Sequence, residues 1–223
     1  MPQTAFKQLG VPVLEALKLA FEAKNLNLKC IDKDLYTVYC PTGSVQFTTH
    51  VFKTKPAELL YFEAGWMLAK PDLVAASIAY KLRLCKRVFA RHCSLKRLHN
   101  LEAIAFLNRH HFLGGLKSAY PLGLFYNSEC IAVALFSKGR KMNRLPDTLR
   151  SYELLRYASH MEFQISGGLS KLLHHFTSLK NPGDIMTYVD TRYYSGKSFK
   201  ALGFKEYPSA IPHNLKLVYA RPL

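Results

Sequence analysis

The segment from Arg150 to Asp190 constrains the fold of this 223-residue chain more than any other stretch. "RSYELLRYAS" alternates as a strand does. "LSKLLHHFTSL" carries helical spacing and is closed by Asn181-Pro182-Gly183, and "DIMTYVD" reads as a short buried strand. Between the first strand and the helix stand two adjacent glycines, Gly167 and Gly168. Glycine inside a helix costs about 1 kcal/mol relative to alanine, so the pair belongs to the helix entry and not to its interior. It serves either as a tight turn or as a place where a ligand comes close to the backbone.

The neighbouring segments extend the pattern. "NLEAIAFLNRHHFLG" is an amphipathic helix ending at Gly114-Gly115, and "PLGLFYNSECIAVALFSK" is two strands turning at Asn127-Ser128. "SGKSFKAL" is a helix capped by Gly203, and "NLKLVYA" a last strand. This order predicts a mixed α/β (α+β) fold over residues 101–223.

Residues 1–80 read as a separate small α+β module. Its expected parts are a helix in "PVLEALKLAFEAKNL", two strands in "NLKCIDKDLYTVYC" and "VQFTTHVF" joined through "PTGS", and a helix in "AELLYFEAGWMLAK". Residues 81–100 connect the two parts and read as a basic amphipathic helix. Lys81, Arg83, Lys86, Arg87, Arg91, Lys96 and Arg97 are interleaved there with apolar residues, and no acid is present.

Thirty-one Lys and Arg against fifteen Asp and Glu leave a formal charge of +16. Such a field favours a polyanion or an anionic cofactor, and the seven basic residues of 81–100 are the candidate nucleic-acid contacts. The five cysteines are odd in number and show no metal-ligand spacing, which predicts reduced thiols, a cytoplasmic setting and no metal site. No apolar run has the length of a membrane span, and Glu15 interrupts the one apolar block near the start.

The element order, with glycines between a central strand and its helix, resembles the GNAT superfamily of acyl-CoA-dependent N-acyltransferases, over roughly residues 100–222. Two segments carry the resemblance. Gln164-Ile165-Ser166-Gly167-Gly168-Leu169-Ser170 is similar to that family's Gln/Arg-x-x-Gly-x-Gly/Ala pyrophosphate loop, with Leu169 where Gly or Ala is usual. "DTRYYSGKSFKALGF" is similar to its late strand–helix segment. The whole is most similar to GNAT-like domains of phage and mobile-element proteins, among them the Mom-type DNA-modification proteins. The resemblance implies a mixed central sheet flanked by helices, acetyl-CoA or another acyl-CoA as donor, DNA as a partner, and a bacterial or phage-infected cell as the setting.

It also implies a site. Gln164, Ile165, Ser166, Gly167, Gly168, Ser170 and Lys171 would hold the coenzyme's pyrophosphate, since a helix N-terminus offers unpaired N–H groups and partial positive charge to phosphate oxygens. Acyl transfer needs a base for the incoming amine and a proton donor for the leaving thiolate. Glu153 and Asp190 are the candidate bases; each has an ordinary alternative, an ion pair with Arg150 or Arg156 for Glu153 and a turn cap for Asp190. The family's usual donor, a Tyr, is replaced here by Phe199, which leaves Tyr193, Tyr194 or Ser195 for the task. His174 is a further, more remote candidate base. The competing expectation is a non-catalytic nucleic-acid-binding protein on the same scaffold.

Overall fold

The computed structural model describes residues 15–32, 35–49 and 59–220. The chain divides into two compact units, Met1–Lys86 and Arg87–Leu223.

In the first unit a helix α1 over residues 15–22 precedes strands β1 (Asn27–Asp32), β2 (Leu35–Cys40), β3 (Gly43–Thr48) and β4 (Leu60–Tyr61), which form one sheet in that order. Helices α2 (Ala64–Ala69) and α3 (Pro71–Lys81) follow. The core centres on Phe47, stacked on Tyr36 at 5.0 Å and edge-on to Phe62 at 5.7 Å. Two expectations are corrected. "NLKCIDKDLYTVYC" is a hairpin of two strands, because Asn27–Cys30 pairs with Tyr36–Tyr39. "AELLYFEAGWMLAK" is helical only from Ala64; Leu60 and Tyr61 pair with β3 instead.

The second unit carries a seven-stranded mixed sheet in the order β12-β13-β11-β9-β8-β7-β6. Its strands are β6 (Ser94–Arg97), β7 (Tyr120–Tyr126), β8 (Glu129–Phe136), β9 (Ser151–Ser159), β11 (Asp184–Asp190), β12 (Lys205–Tyr207) and β13 (Asn214–Ala220). Helix α4 (Asn100–His110) packs Ala103 and Leu107 against Val133, Leu135 and Ala158 on one face. Helix α5 (Gly168–Lys180) buries Leu172, Leu173 and Phe176 in the larger core on the other, where Phe176 stacks on Phe136 at 3.9 Å. A short α6 (Lys197–Ala201) joins β11 to β12. The fold is thus mixed α/β with helices on both faces of one sheet, as expected. The β7–β8 turn falls at Asn127-Ser128, both with positive φ (48° and 69°), as a two-residue hairpin of this kind requires.

The basic helix expected over 81–100 does not form. Arg83 takes a left-handed φ of 59° just beyond α3. The chain then runs as strand β5 (Lys86–Phe89), a 3₁₀ turn (Ala90–His92) and strand β6. Interleaved apolar and basic residues suit a strand as well as a helix, and sheet pairing decides: β6 pairs with β7, and β5 forms a two-stranded ribbon with β10 (Phe163–Ser166). The seven basic residues therefore share no helical face.

His110, at the end of α4, lies 4.4 Å from the Phe106 ring and 4.2 Å from the His160 ring. Its Nδ1 accepts a hydrogen bond from the Met161 N–H at 3.4 Å. Burial, then the charges of His160 and Arg109, push its imidazole down from 6.5 to about 4. In this window the unfolded chain binds a proton that the folded one refuses, so stability falls as pH drops from about 6.5 towards 4 and is level above. We expect this slope, at most about 1.4 kcal/mol per pH unit for one group, to flatten in His110→Gln when urea unfolding is compared at mildly acidic and neutral pH.

Candidate active site at a forked pair of strands

The sheet has one parallel pair, β9 with β11, and it does not stay paired. Register holds for Asp184↔Ser151, Ile185↔Tyr152 and Met186↔Glu153, and there it ends. The Thr187 hydroxyl takes the next carbonyl, that of Leu154, at 3.0 Å. Beyond it β9 runs on to Ser159 and β11 to Asp190 without pairing each other. β9 also carries an irregularity against β8 between Leu135 and Phe136, whose partners are Arg156 and Leu154, so Leu155 is the extra residue. The two strands thus form a fork, opening towards their carboxyl ends, where α/β sheets place ligands. A slot edged by unpaired strand backbone suits an extended chain that carries amides of its own.

The glycine segment lies on the chain that leaves β9. Strand β10 ends at Ser166; Gly167 takes φ 77° and ψ 10° as the N-cap of α5, and no side chain caps the helix. The first turn holds no acid, and the first helical bond is the one from Lys171 N–H to the Gly167 carbonyl, 2.9 Å. The amides of Gly168, Leu169 and Ser170 are therefore the orphan donors of this terminus. The two glycines have different reasons. Gly167 is required by its left-handed backbone, and a Cβ there would meet only Ala90, at 3.8 Å. At Gly168 a Cβ would lie 3.0 Å from both the Tyr157 hydroxyl and Ile165 Cγ2, so those side chains would have to give by a few tenths of an ångström to admit it.

Ser166, Gly167, Ser170, Lys171 and His174 line one side of a depression of about 410 Å³. The other predicted loop residues do not join them there: Gly168 is buried, Ile165 packs against the core, and Gln164 Oε1 is buried without a partner. Leu169 is itself a core residue. Lys171 does more than supply charge. Its ammonium donates to the carbonyls of Ala90 (2.9 Å) and Cys93, tying the 3₁₀ turn to α5. Burial pushes the Cys93 thiol up, against the opposing pull of Lys171.

Glu153 stands at the closed end of the fork, in the last register pair. Its neighbours Tyr152 and Leu154 point into the core beneath α5, so its carboxylate projects from the opposite face, 3.5 Å from Arg140 and with 20% of the side chain exposed. Ser137 fixes the backbone there: its Oγ accepts the Glu153 N–H at 2.9 Å, and its own N–H donates to the Glu153 carbonyl. The pairing partner is Arg140, not Arg150, whose guanidinium bonds the carbonyls of Asp147 and Leu149. Arg156 sits in the same strand with its Nε buried and unpartnered; burial lowers its guanidinium and Glu153 opposes that shift.

Asp190 lies on the same face, at the open end. It is four residues past Met186, about 13 Å along the strand, which is too far for the two carboxylates to share one proton. Both its oxygens are held by the Arg192 guanidinium (2.7–3.2 Å) and one accepts the Arg192 N–H at 3.0 Å. The turn-cap role is the one its contacts serve. Among the expected proton donors, Tyr193 lies under Arg192 at 5.1 Å, and Ser195 is exposed near the Lys197 N–H at 3.5 Å. Tyr194 is 57% exposed, yet surrounding protein and the Asp190 carboxylate both push its phenol upward. Phe199 packs edge-on against Phe204 at 5.3 Å and offers no proton.

Of the basic residues expected to hold nucleic acid, Lys81, Arg83 and Lys86 belong to the first unit. Lys86 and Arg87 are on β5, Arg91 on the 3₁₀ turn, and Lys96 and Arg97 on β6. Arg97 donates to the Ala119 carbonyl at 3.0 Å and lies over Tyr120, and Lys96 lies over Phe125 at 5.0 Å. The sequence did not flag the open half of the sheet, where Tyr188, Lys216 and Tyr207 form one cross-strand row with both tyrosines exposed.

Neither a protein-family profile nor a curated protein matches the chain. Among solved structures it is similar to the GNAT domain of S. lividans PAT, at 13% identity and a TM-score of 0.44, over 58% of this chain and 90% of that one. It is likewise similar to Arabidopsis thaliana Naa50 in complex with the bisubstrate analogue CoA-Ac-MVNAL (19%, TM-score 0.44, 57% and 97% of the two chains). A third is a Bacillus subtilis acetyltransferase in complex with CoA (14%, TM-score 0.43, 58% and 99%). No described helix is long and apolar enough to cross a membrane.

Proposed function

We propose that the second unit is an acyl-CoA-dependent N-acyltransferase whose acceptor amine belongs to nucleic acid. The observation that carries the reading is the fork between β9 and β11, in the same unit as an uncapped, acid-free helix N-terminus behind two glycines. The orphan amides of Gly168, Leu169 and Ser170 suit a pyrophosphate, and the fork suits the amide-bearing pantetheine arm. The thioester, once bound, supplies the electrophilic carbonyl carbon. The acceptor nitrogen bonds to that carbon, the C–S bond breaks, and the thiolate leaves with a proton. Glu153 takes the amine proton, directly or through a water. With Phe199 packed in the core, Tyr193, Tyr194 or Ser195 supplies the proton to sulfur.

The charge of +16 supports a polyanionic acceptor, with Arg87, Lys96 and Arg97 of the second unit as backbone contacts. The row Tyr188–Lys216–Tyr207, on the face from which Glu153 projects, offers two rings for base stacking around one cation. A DNA base amine in a duplex would have to be flipped out to reach Glu153. The second reading, a nucleic-acid-binding protein without catalysis, draws on the absent Tyr at Phe199 and on the commitment of Asp190 to Arg192.

Calorimetric titration with acetyl-CoA and with coenzyme A, after high-salt removal of bound nucleic acid, separates the two. We expect micromolar binding that Gly167→Asp weakens by at least about 100-fold, because a carboxylate would stand where phosphate binds; each 1.4 kcal/mol lost is tenfold. Binding of neither ligand by the wild type would leave only the second reading.

A further inference from the structure

The wall of the depression opposite the glycines comes from outside the seven-stranded sheet. It consists of Phe89, at the end of β5, and Ala90 and Arg91, in the 3₁₀ turn. Val88 points into the core, so strand alternation turns Phe89 outward, and 51% of it is exposed. The Arg91 guanidinium carbon lies 4.8 Å from the Phe89 ring centroid, and the His92 ring meets Phe89 edge-on at 6.5 Å. Arg91 Nε donates to His92 Nε2 at 3.2 Å, which leaves the outer nitrogens of the guanidinium unused by that bond.

This wall is fixed to the glycine loop twice over. β5 is hydrogen-bonded to β10, the strand that runs into Gly167, and the Lys171 ammonium holds the carbonyls of Ala90, which opens the turn, and Cys93, which follows it. The side chains facing the depression include Arg91, Lys171 and His174 but no carboxylate. An open, cationic depression with an exposed ring on one wall and Gly167, Ser170 and Lys171 on the other suits a planar heterocycle carrying phosphate. The ring takes the heterocycle by stacking, and the guanidinium takes a phosphate monoester through paired charge-assisted bonds.

We infer that Phe89 and Arg91 read the 3′-phosphoadenosine end of coenzyme A, Phe89 stacking on the adenine and Arg91 pairing with the 3′-phosphate. The inference rests on the acyl-CoA reading above: with the pyrophosphate on the Gly168–Ser170 amides, the phosphorylated ribose and adenine are the next groups along the coenzyme. A nucleic-acid backbone carries similar phosphates, and binding of an oligonucleotide to this wall is the outcome that the test has to separate from binding of the coenzyme.

Three probes decide it on the full chain: coenzyme A, 3′-dephospho-coenzyme A and a single-stranded oligonucleotide. The wild type should prefer coenzyme A to its dephospho form by about tenfold or more, the scale of one charge-assisted bond. Arg91→Ala should remove that preference, weakening coenzyme A and leaving the dephospho form unchanged. Phe89→Ala should weaken both coenzymes alike, and Phe89→Trp should restore them. Both positions are on the surface, and unchanged thermal unfolding will show that the variants fold.

Equal loss for both coenzymes in Arg91→Ala, or no loss, overturns the assignment of Arg91. Loss of oligonucleotide binding with coenzyme binding intact overturns the whole inference and makes the wall a nucleic-acid contact. Failure of the wild type to bind either coenzyme is a different result, since it removes the acyl-CoA reading itself.

Discussion

Glu153→Gln should lower the rate of acyl transfer by about 10²- to 10⁴-fold, the usual worth of a positioned general base, while coenzyme A binds as before. Glutamine keeps the shape of the side chain but loses the charge, and with it the ability to take a proton and the ion pair with Arg140. Glu153 owes its candidacy to place: it is the last residue of β9 still paired with β11, and it projects from the face opposite α5. Its backbone is held through Ser137 on both sides of the peptide, so the side chain starts from a fixed point. The control is Asp190→Asn, which should cost far less, because Asp190 is already committed to Arg192 and lies about 13 Å further along the sheet. Single-turnover acyl transfer to DNA, with affinity measured separately, reads the difference. A Glu153→Gln protein within threefold of wild type would remove the carboxylate from the reaction.

The parts of this site that are local in sequence were legible, and those made by register were not. The strand, glycine pair, helix and strand between Arg150 and Asp190 were all readable, because alternation, helical spacing and the Asn-Pro-Gly stop are each contained in a few residues. Ser166, Gly167, Ser170 and Lys171 do face one hollow, and Gln164 and Ile165, from the same motif, do not. The reason for Gly168 was out of reach: it depends on a hydroxyl eleven residues earlier, Tyr157, that only the fold brings beside it. The short strands β5, β6, β10 and β12 were missed, since three or four residues carry too little period and owe their form to a partner strand. For the same reason the basic stretch 81–100 was mistaken for a helix. Phe89 gave no signal in sequence; what marks it is exposure, which alternation in β5 and the pairing with β10 together impose.

Arg144→Met should destabilise the protein by about 3 kcal/mol, and it should do so by loosening the closed end of the fork. Arg144 comes from the β8–β9 connection and spans the first register pair of the two strands: its Nε donates to Asp184 at 3.0 Å and its Nη2 to the Ser151 hydroxyl at 3.3 Å. The Asp184 side chain is only 4% exposed, and its second oxygen already lacks a partner. Removing the arginine leaves a buried carboxylate uncompensated, which costs about 3–5 kcal/mol in general. Arg144 is itself 42% exposed, so water reaches the pair from one side and the lower figure applies. Calorimetric unfolding should show it as a fall of about 10 °C in Tm. Asp184→Leu combined with Arg144→Met replaces the pair by two apolar side chains and should recover most of the loss, because no buried charge is then left alone. If the single variant is as stable as wild type, the clasp is not what holds β9 to β11. If the double variant recovers stability and acyl transfer together, the ion pair serves only to close the fork. Recovered stability without recovered transfer would instead mean that the base of the fork must be polar as well as closed, and would tie Arg144 and Asp184 to the setting of Glu153, two residues further along the same strand from Ser151.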